Sequence, residues 1–214
     1  MQNPTDDYQN GINVGQNGVL LIHGTTIRHM WEGMSALDGG VINVQDVNDE
    51  FPFGGPSEVV IDDPPSIHLW GPGVRNGGKT TLGTKLRILK PGAFWGGETG
   101  GVQLDGTSSL TGGQYLEIRD SLGQGVFVKN NSHASLAGAQ ISGTVHSAVA
   151  VVNHSTVDLG DASANPPTPT LITGSGADDL FCDSTSLITG KDNASTLGKI
   201  ECSNLLGTPN PPLP

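Results

Sequence analysis

The sequence is short of charged and aromatic residues. Only 14% of its 214 residues are Asp, Glu, Lys or Arg, and only 5% are Phe, Trp or Tyr. The charged faces of surface helices are therefore missing, and the 32 glycines weaken any helix interior. These shortages exclude a helical bundle, while the apolar residues that recur along the chain argue against disorder. The composition predicts an all-β chain with many turns.

Positive charge and long apolar runs are also scarce. Ten Lys and Arg residues stand against 21 Asp and Glu residues, for a net charge of −11. Without clustered cations we expect no nucleic acid and no anionic membrane surface as a partner. The apolar runs, such as Val19–Ile22, are only a few residues long, which predicts no membrane insertion. Residues 1–7 have neither the basic nor the apolar region of a signal peptide, so we expect none.

The first part of the chain offers one candidate helix. Residues 1–18 are polar and rich in Asn, Gln and Gly, which indicates an arm. A helical spacing of apolar residues then predicts a short amphipathic helix near residues 27–37, and its apolar positions include Met30, Trp31 and Met34. These three side chains are candidates for docking to a partner.

Short apolar pieces separated by Gly, Pro and Asp predict strands over residues 38–80. The pieces are Val41 to Val44, Val59 to Ile61 and Ile67 to Trp70. Residues 73–80 match the phosphate-loop pattern letter for letter. That pattern needs a helix immediately after it, and the following residues are poor helix formers. We therefore interpret it as a Gly-rich turn and expect no cofactor.

From about residue 82 the sequence repeats itself. The pattern Asn-x-Ser-x-[Ala/Val]-x-Leu begins at Asn130 and again at Asn153, which makes Ser132 and Ser155 equivalent. One coil therefore spans about 23 residues, a period in the range of known repeat proteins. Ser184 extends the series after a longer loop, because an apolar residue follows it at the same spacing. We expect these Asn and Ser side chains to form hydrogen-bonded ladders between successive repeats.

A second repeat joins residues 105–112 to residues 183–190. Repeats of this kind predict a solenoid whose coils each supply two or three short parallel strands and stack about 4.8 Å apart. Alternating apolar residues should point into its core. The residues predicted to point inward are Leu116, Ile118, Val126, Val128, Val149 and Val151.

On these motifs, about residues 82–206 resemble the pectate-lyase-like superfamily of right-handed parallel β-helices. The motifs are those of the fold and not of one family. The fold is shared by polysaccharide lyases and hydrolases, and by trimeric phage virion proteins such as tailspikes and capsid decoration proteins. The resemblance implies a short, right-handed parallel β-helix, preceded here by one small N-terminal helix and flanked by polar arms.

Three segments follow from this interpretation. Residues 1–37 form an arm and a capping or docking segment, residues 38–206 form the β-helix, and residues 207–214 form a Pro-rich tail. A solenoid with so few coils has two open ends, which favours oligomerisation. The resembling virion proteins imply a homotrimer.

Cleavage of a polysaccharide needs two carboxylates across a groove. The candidate pairs are Asp62 with Asp63, Glu117 with Asp120, Asp158 with Asp161, and Asp178 with Asp179. An enzyme would use Glu117 with Asp120, or Asp178 with Asp179, as its acids. Adjacent carboxylates on a strand point to opposite faces, so Asp178 and Asp179 share a face only at a corner. The hydrolase motifs of the resembling superfamily are absent, which favours solvated turn acids over a catalytic pair.

Metal and sugar sites have weaker support. The histidines of the repeat lack a spacing that would place three on one face, so we expect no metal. Trp70 and Trp95 are candidates for a sugar-stacking platform, although large aromatics in such a region are more often core or subunit contacts.

Cys182 and Cys202 lie 20 residues apart, close to one coil. Stacked coils could bring them together, so a disulfide is geometrically possible. A buried thiol pair is the preferred interpretation for a protein that folds in a reducing cytosol.

These observations predict a non-enzymatic virion protein of a bacteriophage, made in the host cytoplasm. Its role would be that of a trimeric capsid decoration (cement) protein or a tail-fibre or spike protein, bound to major capsid or tail proteins. The alternatives are a β-helix polysaccharide lyase or hydrolase, and a glycan-binding adhesin module that recognises a host surface glycan.

Overall fold

The structure is a computed structural model that describes most of the chain. The described residues are 10–28, 32–45, 58–62, 73–75, 77–92, 100–161, 168–196 and 198–206. Strands dominate, and every strand pair recorded within a sheet is parallel. The all-β prediction is confirmed.

The strands form three sheets. Sheet A contains β1 (Asn10–Val14), β4 (Glu32–Leu37), β7 (Gly73–Arg75), β10 (Val102–Asp105), β13 (Val126–Val128), β16 (Val149–Val151), β19 (Asp178–Cys182) and β22 (Lys199–Cys202). Sheet B contains β2 (Val19–Ile22), β5 (Val41–Val44), β8 (Lys79–Leu82), β11 (Ser109–Thr111), β14 (His133–Ser135), β17 (Thr156–Asp158) and β20 (Leu187–Thr189). Sheet C contains β3 (Thr26–Ile27), β6 (Val59–Asp62), β9 (Leu86–Leu89), β12 (Leu116–Arg119), β15 (Gln140–Ser142), β18 (Thr170–Thr173) and β21 (Ala194–Thr196).

The chain visits sheets A, B and C in turn, and we call one such passage a circuit. Each strand pairs with the strand one circuit later, so Val126 lies beside Val149 and His133 beside Thr156. Both pairs have the same separation along the chain as Asn130 and Asn153, which confirms the predicted repeat. This arrangement is consistent with a parallel β-helix.

The core lies between the three sheets. Alternate residues of each strand point to opposite faces of its sheet, so one set from every circuit meets inside. The residues predicted to point inward are all buried, and they are Leu116, Ile118, Val126, Val128, Val149 and Val151. This part of the prediction is confirmed.

The predicted N-terminal helix is wrong. Thr26–Ile27 and Glu32–Leu37 are strands, each paired in parallel with a strand one circuit later. Met34 is fully buried, so it belongs to the core. Pairing with neighbouring strands satisfies the backbone of this segment and therefore overrides a local apolar spacing that fits a helix equally well.

The start of the chain is also more ordered than the sequence indicated. Asn10–Val14 and Val19–Ile22 are strands of sheets A and B, and Val14 lies in the core. The predicted arm over residues 1–18 is therefore wrong from residue 10 onwards. Strands are confirmed at Val41–Val44 and Val59–Asp62, whereas Ile67 to Trp70 lies outside the described residues.

Two glycines mark the corner between sheets B and C. Gly112 and Gly190 have φ angles of 89° and 76°, and each precedes a short 3-10 turn, Gly113–Tyr115 and Lys191–Asn193. These angles lie in the left-handed region, which glycine adopts without steric cost. The spacing between them equals that of the second sequence repeat, so the repeat reflects a shared backbone conformation.

Serine hydroxyls connect successive circuits at the corner between sheets A and B. The Ser132 Oγ accepts the Ser108 N–H at 3.2 Å, and the Ser155 Oγ accepts the Ser132 N–H at 3.2 Å. The Ser186 Oγ accepts the Ser155 N–H at 3.3 Å. All four serines are buried, so the hydroxyls of Ser132, Ser155 and Ser186 each satisfy a backbone donor that has no access to water. The predicted ladder is confirmed at Ser132 and Ser155.

The ladder position of Ser184 is wrong. Ser184 is exposed, and its carbonyl oxygen accepts the Asn204 side-chain amide at 2.9 Å. Ser186 takes the ladder position, because Ile188 pairs with Val157. The predicted alignment of Ser184 with Ser155 is therefore wrong by two residues.

The predicted asparagine ladder forms at the same corner. The Asn130 Nδ2 donates to the Asp105 Oδ1 at 2.6 Å, and the Asn153 Nδ2 donates to the Asn130 Oδ1 at 3.0 Å. The Asn153 N–H then donates to the Asp183 Oδ2 at 2.8 Å. Burial alone would raise the pKa of Asp183, but this bond and others from Ser186 and Thr185 lower it to about 2.

Cys182 and Cys202 are register partners in β19 and β22, and they form a disulfide with a Cα–Cα distance of 4.5 Å. The preferred expectation of a free thiol pair is therefore wrong. Parallel pairing places equivalent residues of adjacent circuits side by side, which brings two cysteines within bonding distance.

The serine ladder makes a prediction that separates the two registers. Ser186→Ala leaves the buried Ser155 N–H without its acceptor, and we expect it to lower the free energy of unfolding by about 1–3 kcal/mol. The matched control, Ser184→Ala, changes an exposed hydroxyl and should stay within about 0.5 kcal/mol. Urea unfolding followed by circular dichroism measures both variants. A larger loss in Ser184→Ala than in Ser186→Ala would contradict the observed register.

Candidate functional site

A groove of about 410 Å3 lies on the outer face of sheet C, over β12, β15 and β18. Its lining residues are Glu117, Arg119, Asp120, Gln140, Ile141, Ser142, Leu171 and Thr173. Because Leu116 and Ile118 point into the core, the alternate residues Glu117 and Arg119 point outward into this groove.

Register pairing builds the groove in two rows. Glu117 lies beside Gln140, and Gln140 lies beside Leu171 in the next circuit. Arg119 starts the second row, which continues through serine and threonine hydroxyls. The groove is therefore lined by one cation, two carboxylates, amide and hydroxyl groups, and the exposed side chain of Leu171.

Glu117 is buried at one end of the groove, with only 2% of its surface exposed. Its Oε2 lies 2.7 Å from the Lys85 Nζ and 3.3 Å from the Arg87 Nε, while its Oε1 is ion-paired with Arg119. Three cations thus surround one carboxylate. A buried charge is stable only when it is paired in this way.

The cations decide the protonation state of Glu117. Burial on its own raises the pKa of this carboxyl, but Lys85, together with Arg87 and Arg119, outweighs burial, so the pKa lies below its ordinary value. A general acid at neutral pH needs a raised pKa. Glu117 is instead an ionised group that holds Arg119 of its own strand together with Lys85 and Arg87 of the preceding circuit.

The structure brings together one of the two predicted acid pairs. Asp120 follows β12 with a φ of 55° and lines the same groove as Glu117. Asp178 and Asp179 lie elsewhere, in β19 of sheet A, where the pairing with β22 is irregular between Asp178 and Leu180.

The acids of β19 contact the last circuit. The Asp178 Oδ1 lies 3.1 Å from the Lys199 Nζ, and the Asp179 Oδ2 accepts the Gly198 N–H at 2.6 Å. Both carboxylates are buried. Their contacts attach β22 to the sheet, which is a structural role.

Of the residues predicted to dock to a partner or to stack on a sugar, the structure describes Met34. Met34 is in the core and cannot contact a partner. Met30, Trp31, Trp70 and Trp95 lie outside the described residues.

The phosphate-loop pattern has no matching structure. Lys79–Leu82 is a strand of sheet B where a phosphate loop would begin its helix, and Thr80 is buried in it. Within the described ranges, His, Cys, Asp and Glu side chains form no group of three suited to a metal ion. The helices of that same part of the chain are all too short or too polar to cross a membrane.

Sequence patterns do not indicate most of the groove. Gln140 follows Glu117 at the spacing of the regular circuits, so the repeat found in sheets A and B also predicts this neighbour in sheet C. Arg87 and Leu171 are farther along the chain from their register partners, Glu117 and Gln140, because longer loops interrupt the period. No sequence pattern of a single strand indicates that three cations converge on Glu117.

Glu117 makes a prediction about acid stability. A carboxyl with a lowered folded-state pKa stabilises the fold above its unfolded value of 4.5, and this stabilisation is lost as the pH falls through the folded value. Glu117→Gln should cost about 1–3 kcal/mol at pH 7 and should flatten the loss of stability below pH 4.5. Urea unfolding at a series of pH values measures this.

Glu58→Gln is the matched control. Glu58 lies 3.7 Å from the same Arg87, but 37% of its side chain is exposed, so its loss should cost no more than about 1 kcal/mol. The pKa of Asp183 is lowered from 3.8 to about 2, so this carboxyl contributes its own loss of stability between those pH values in both variants. Equal costs for the two variants at pH 7 would show that Glu117 has no special role.

Comparisons with models of known protein families, with curated proteins and with solved structures find no match to this chain.

Proposed function

We propose that this chain is a non-enzymatic structural protein built on a short right-handed parallel β-helix. In this proposal it assembles as a homotrimer and serves as a capsid decoration (cement) protein or a tail-fibre or spike protein of a bacteriophage virion. The rotation of the chain through three parallel sheets and the ladders between circuits support the β-helix. The handedness and the virion rest on the sequence resemblance.

The ion pairs of Glu117 are the observation that carries the structural role. Glu117 is one of the two candidate acids in the groove, and it is held by Lys85, Arg87 and Arg119. A nucleophile or general base must be able to reach the substrate. A carboxylate enclosed by three cations instead connects β9 with β12 and favours stability over catalysis.

Exposed apolar side chains near one end support self-association. Val19 and Leu21 are 67% and 57% exposed, and they alternate along β2, so they share the outer face of sheet B. β2 is the first strand of that sheet. A contact with a second copy would remove both side chains from water, and we propose that the trimer interface includes them.

The disulfide bears on where the protein works. Disulfides persist in oxidising surroundings and are rare in a reducing cytosol. The bond between Cys182 and Cys202 therefore fits a particle that leaves the cytoplasm in which it is made.

Native mass tests the trimer. Light scattering at micromolar concentration should give three times the chain mass of 22.1 kDa, and the trimer should resist dilution. The double variant Val19→Ser with Leu21→Ser should shift the mass to that of a single chain, because the contact loses its apolar area.

Val145→Ser is the control for this test. Val145 is 53% exposed and lies between β15 and β16, away from β2, so its variant should remain trimeric. A monomeric natural chain would overturn the proposed assembly and, with it, the virion role.

The groove favours a second candidate, a polysaccharide lyase or hydrolase, or a glycan-binding module. Its Arg119, Gln140 and Leu171 combine charged, polar and apolar contacts on one open face, as sugars require. Asp120 would be its reacting acid.

Incubation with a panel of acidic and neutral polysaccharides distinguishes the two candidates. We expect neither cleavage, measured by reducing ends and by absorbance of unsaturated products, nor retention on immobilised glycan. Cleavage or binding that Asp120→Asn abolishes and Asp62→Asn preserves would replace the structural proposal. Asp62 is a fair control because it lies on the same sheet, ion-paired with Arg28 at a distance of 3.4 Å.

A further inference from the structure

The last residues of the described chain cover two strands at the C-terminal end of the sheets. We call residues 199–206 the closing segment. Its first half is β22, which pairs with β19 at the edge of sheet A. Its second half runs beside β20. There the Ile188 N–H donates to the backbone carbonyl of Asn204 at 3.1 Å, and the Leu206 N–H donates to the backbone carbonyl of Ile188 at 2.9 Å.

Apolar burial holds this segment only weakly. Ile200 and Leu206 are 37% and 41% exposed. Leu205 and Cys202 pack against the core but are only half-buried, whereas Leu180 and Ile188 beneath the segment are fully buried. Hydrophobic stabilisation scales with the apolar area removed from water. The closing segment therefore covers the core of the preceding circuit, while its own apolar side chains are only partly removed from water.

Polar contacts add limited support. Lys199 is ion-paired with Asp178, but 64% of its side chain is exposed, and exposed pairs contribute little. The Asn204 side-chain amide donates to the backbone carbonyl oxygens of Ser184 and Ser186 at 2.9 and 3.1 Å. These bonds compete with water at the end of the stack.

One covalent bond attaches the closing segment. Cys202 belongs to it, and Cys182 belongs to β19 in the preceding circuit. Cys202 is only half-buried, so a small reductant can reach the bond. A cross-link between the segment and its neighbour restricts the free excursions of the segment, which otherwise open locally at low cost.

We propose that the Cys182–Cys202 disulfide is a redox latch, by which we mean a bond that holds the closing segment on β19 and β20 and releases it when reduced. A dithiol reductant breaks the S–S bond by thiol–disulfide exchange and is itself oxidised to a disulfide. The two electrons and two protons that it gives up leave Cys182 and Cys202 as thiols. The closing segment then detaches and uncovers the edges of β19 and β20. Uncovered strand edges are sites at which other strands add.

Hydrogen–deuterium exchange of the full chain, read by mass spectrometry, tests the latch. After treatment with dithiothreitol under native conditions, we expect the amides of the closing segment to exchange about tenfold faster or more. The amides of β10, β13 and β16 in the middle of sheet A should keep their rate. The thiol count from alkylation shows that the bond has been reduced.

Two variants serve as controls. Cys182→Ser with Cys202→Ser should exchange fast in the closing segment without reductant, and dithiothreitol should not change it. Lys199→Met removes the ion pairs and keeps the disulfide, so its closing segment should remain slow until reductant is added.

Two outcomes would overturn the latch. Unchanged exchange of the closing segment after complete reduction would show that its hydrogen bonds suffice to hold it. Equally accelerated exchange in β10, β13 and β16 would show that the disulfide supports the whole fold and not a local segment.

Discussion

Parallel pairing in register between successive circuits is the constraint on which the other contacts depend. A strand such as β13 lies beside β16 with Val126 opposite Val149, and its core residues therefore stack on core residues. A slip of one residue would turn every buried side chain of that strand outward. The buried serine hydroxyls oppose any slip, because each accepts a backbone N–H of the adjacent circuit, as the Ser155 Oγ does from Ser132. The corner ladders and the sheets thus specify the same register.

The same stacking explains how this chain uses its few charges. Glu117 holds cations of β9 and β12 together, and Asp178 attaches β22 to β19. Asp105 and Asp183 lie at the two ends of the asparagine ladder. In each case a carboxylate contacts the neighbouring circuit, where it meets a cation or a backbone or side-chain donor. This pattern supports the proposed structural role, since groups engaged in this way are not available to a substrate.

The sequence predicts equivalent residues correctly where the circuits have the same length, and less well where their lengths differ. Where the circuits are regular, the alignment of Asn130 with Asn153 was correct and the ladder followed from it. Where a longer loop intervenes, the alignment that places Ser184 in the ladder is wrong by two residues. The second repeat, which aligns residues 105–112 with residues 183–190, makes Ser186 equivalent to Ser108 and so gives the correct position. The helix near residues 27–37 was wrong because its apolar spacing fits two structures. The neighbouring strands decide between a helix and a strand, because they satisfy the backbone hydrogen bonds of this segment.

The sequence by itself determined the all-β class, the period of the circuits, the inward residues and the ladder at Ser132 and Ser155. The class follows from the composition, and the other three properties repeat along the chain, so a comparison of the chain with itself reveals them. The tertiary structure alone decided the three cations around Glu117, the burial of Met34, the groove on sheet C and the bond between Cys182 and Cys202. Each of these depends on which residues of different circuits become neighbours. Loops of unequal length set that choice, and no local pattern records it.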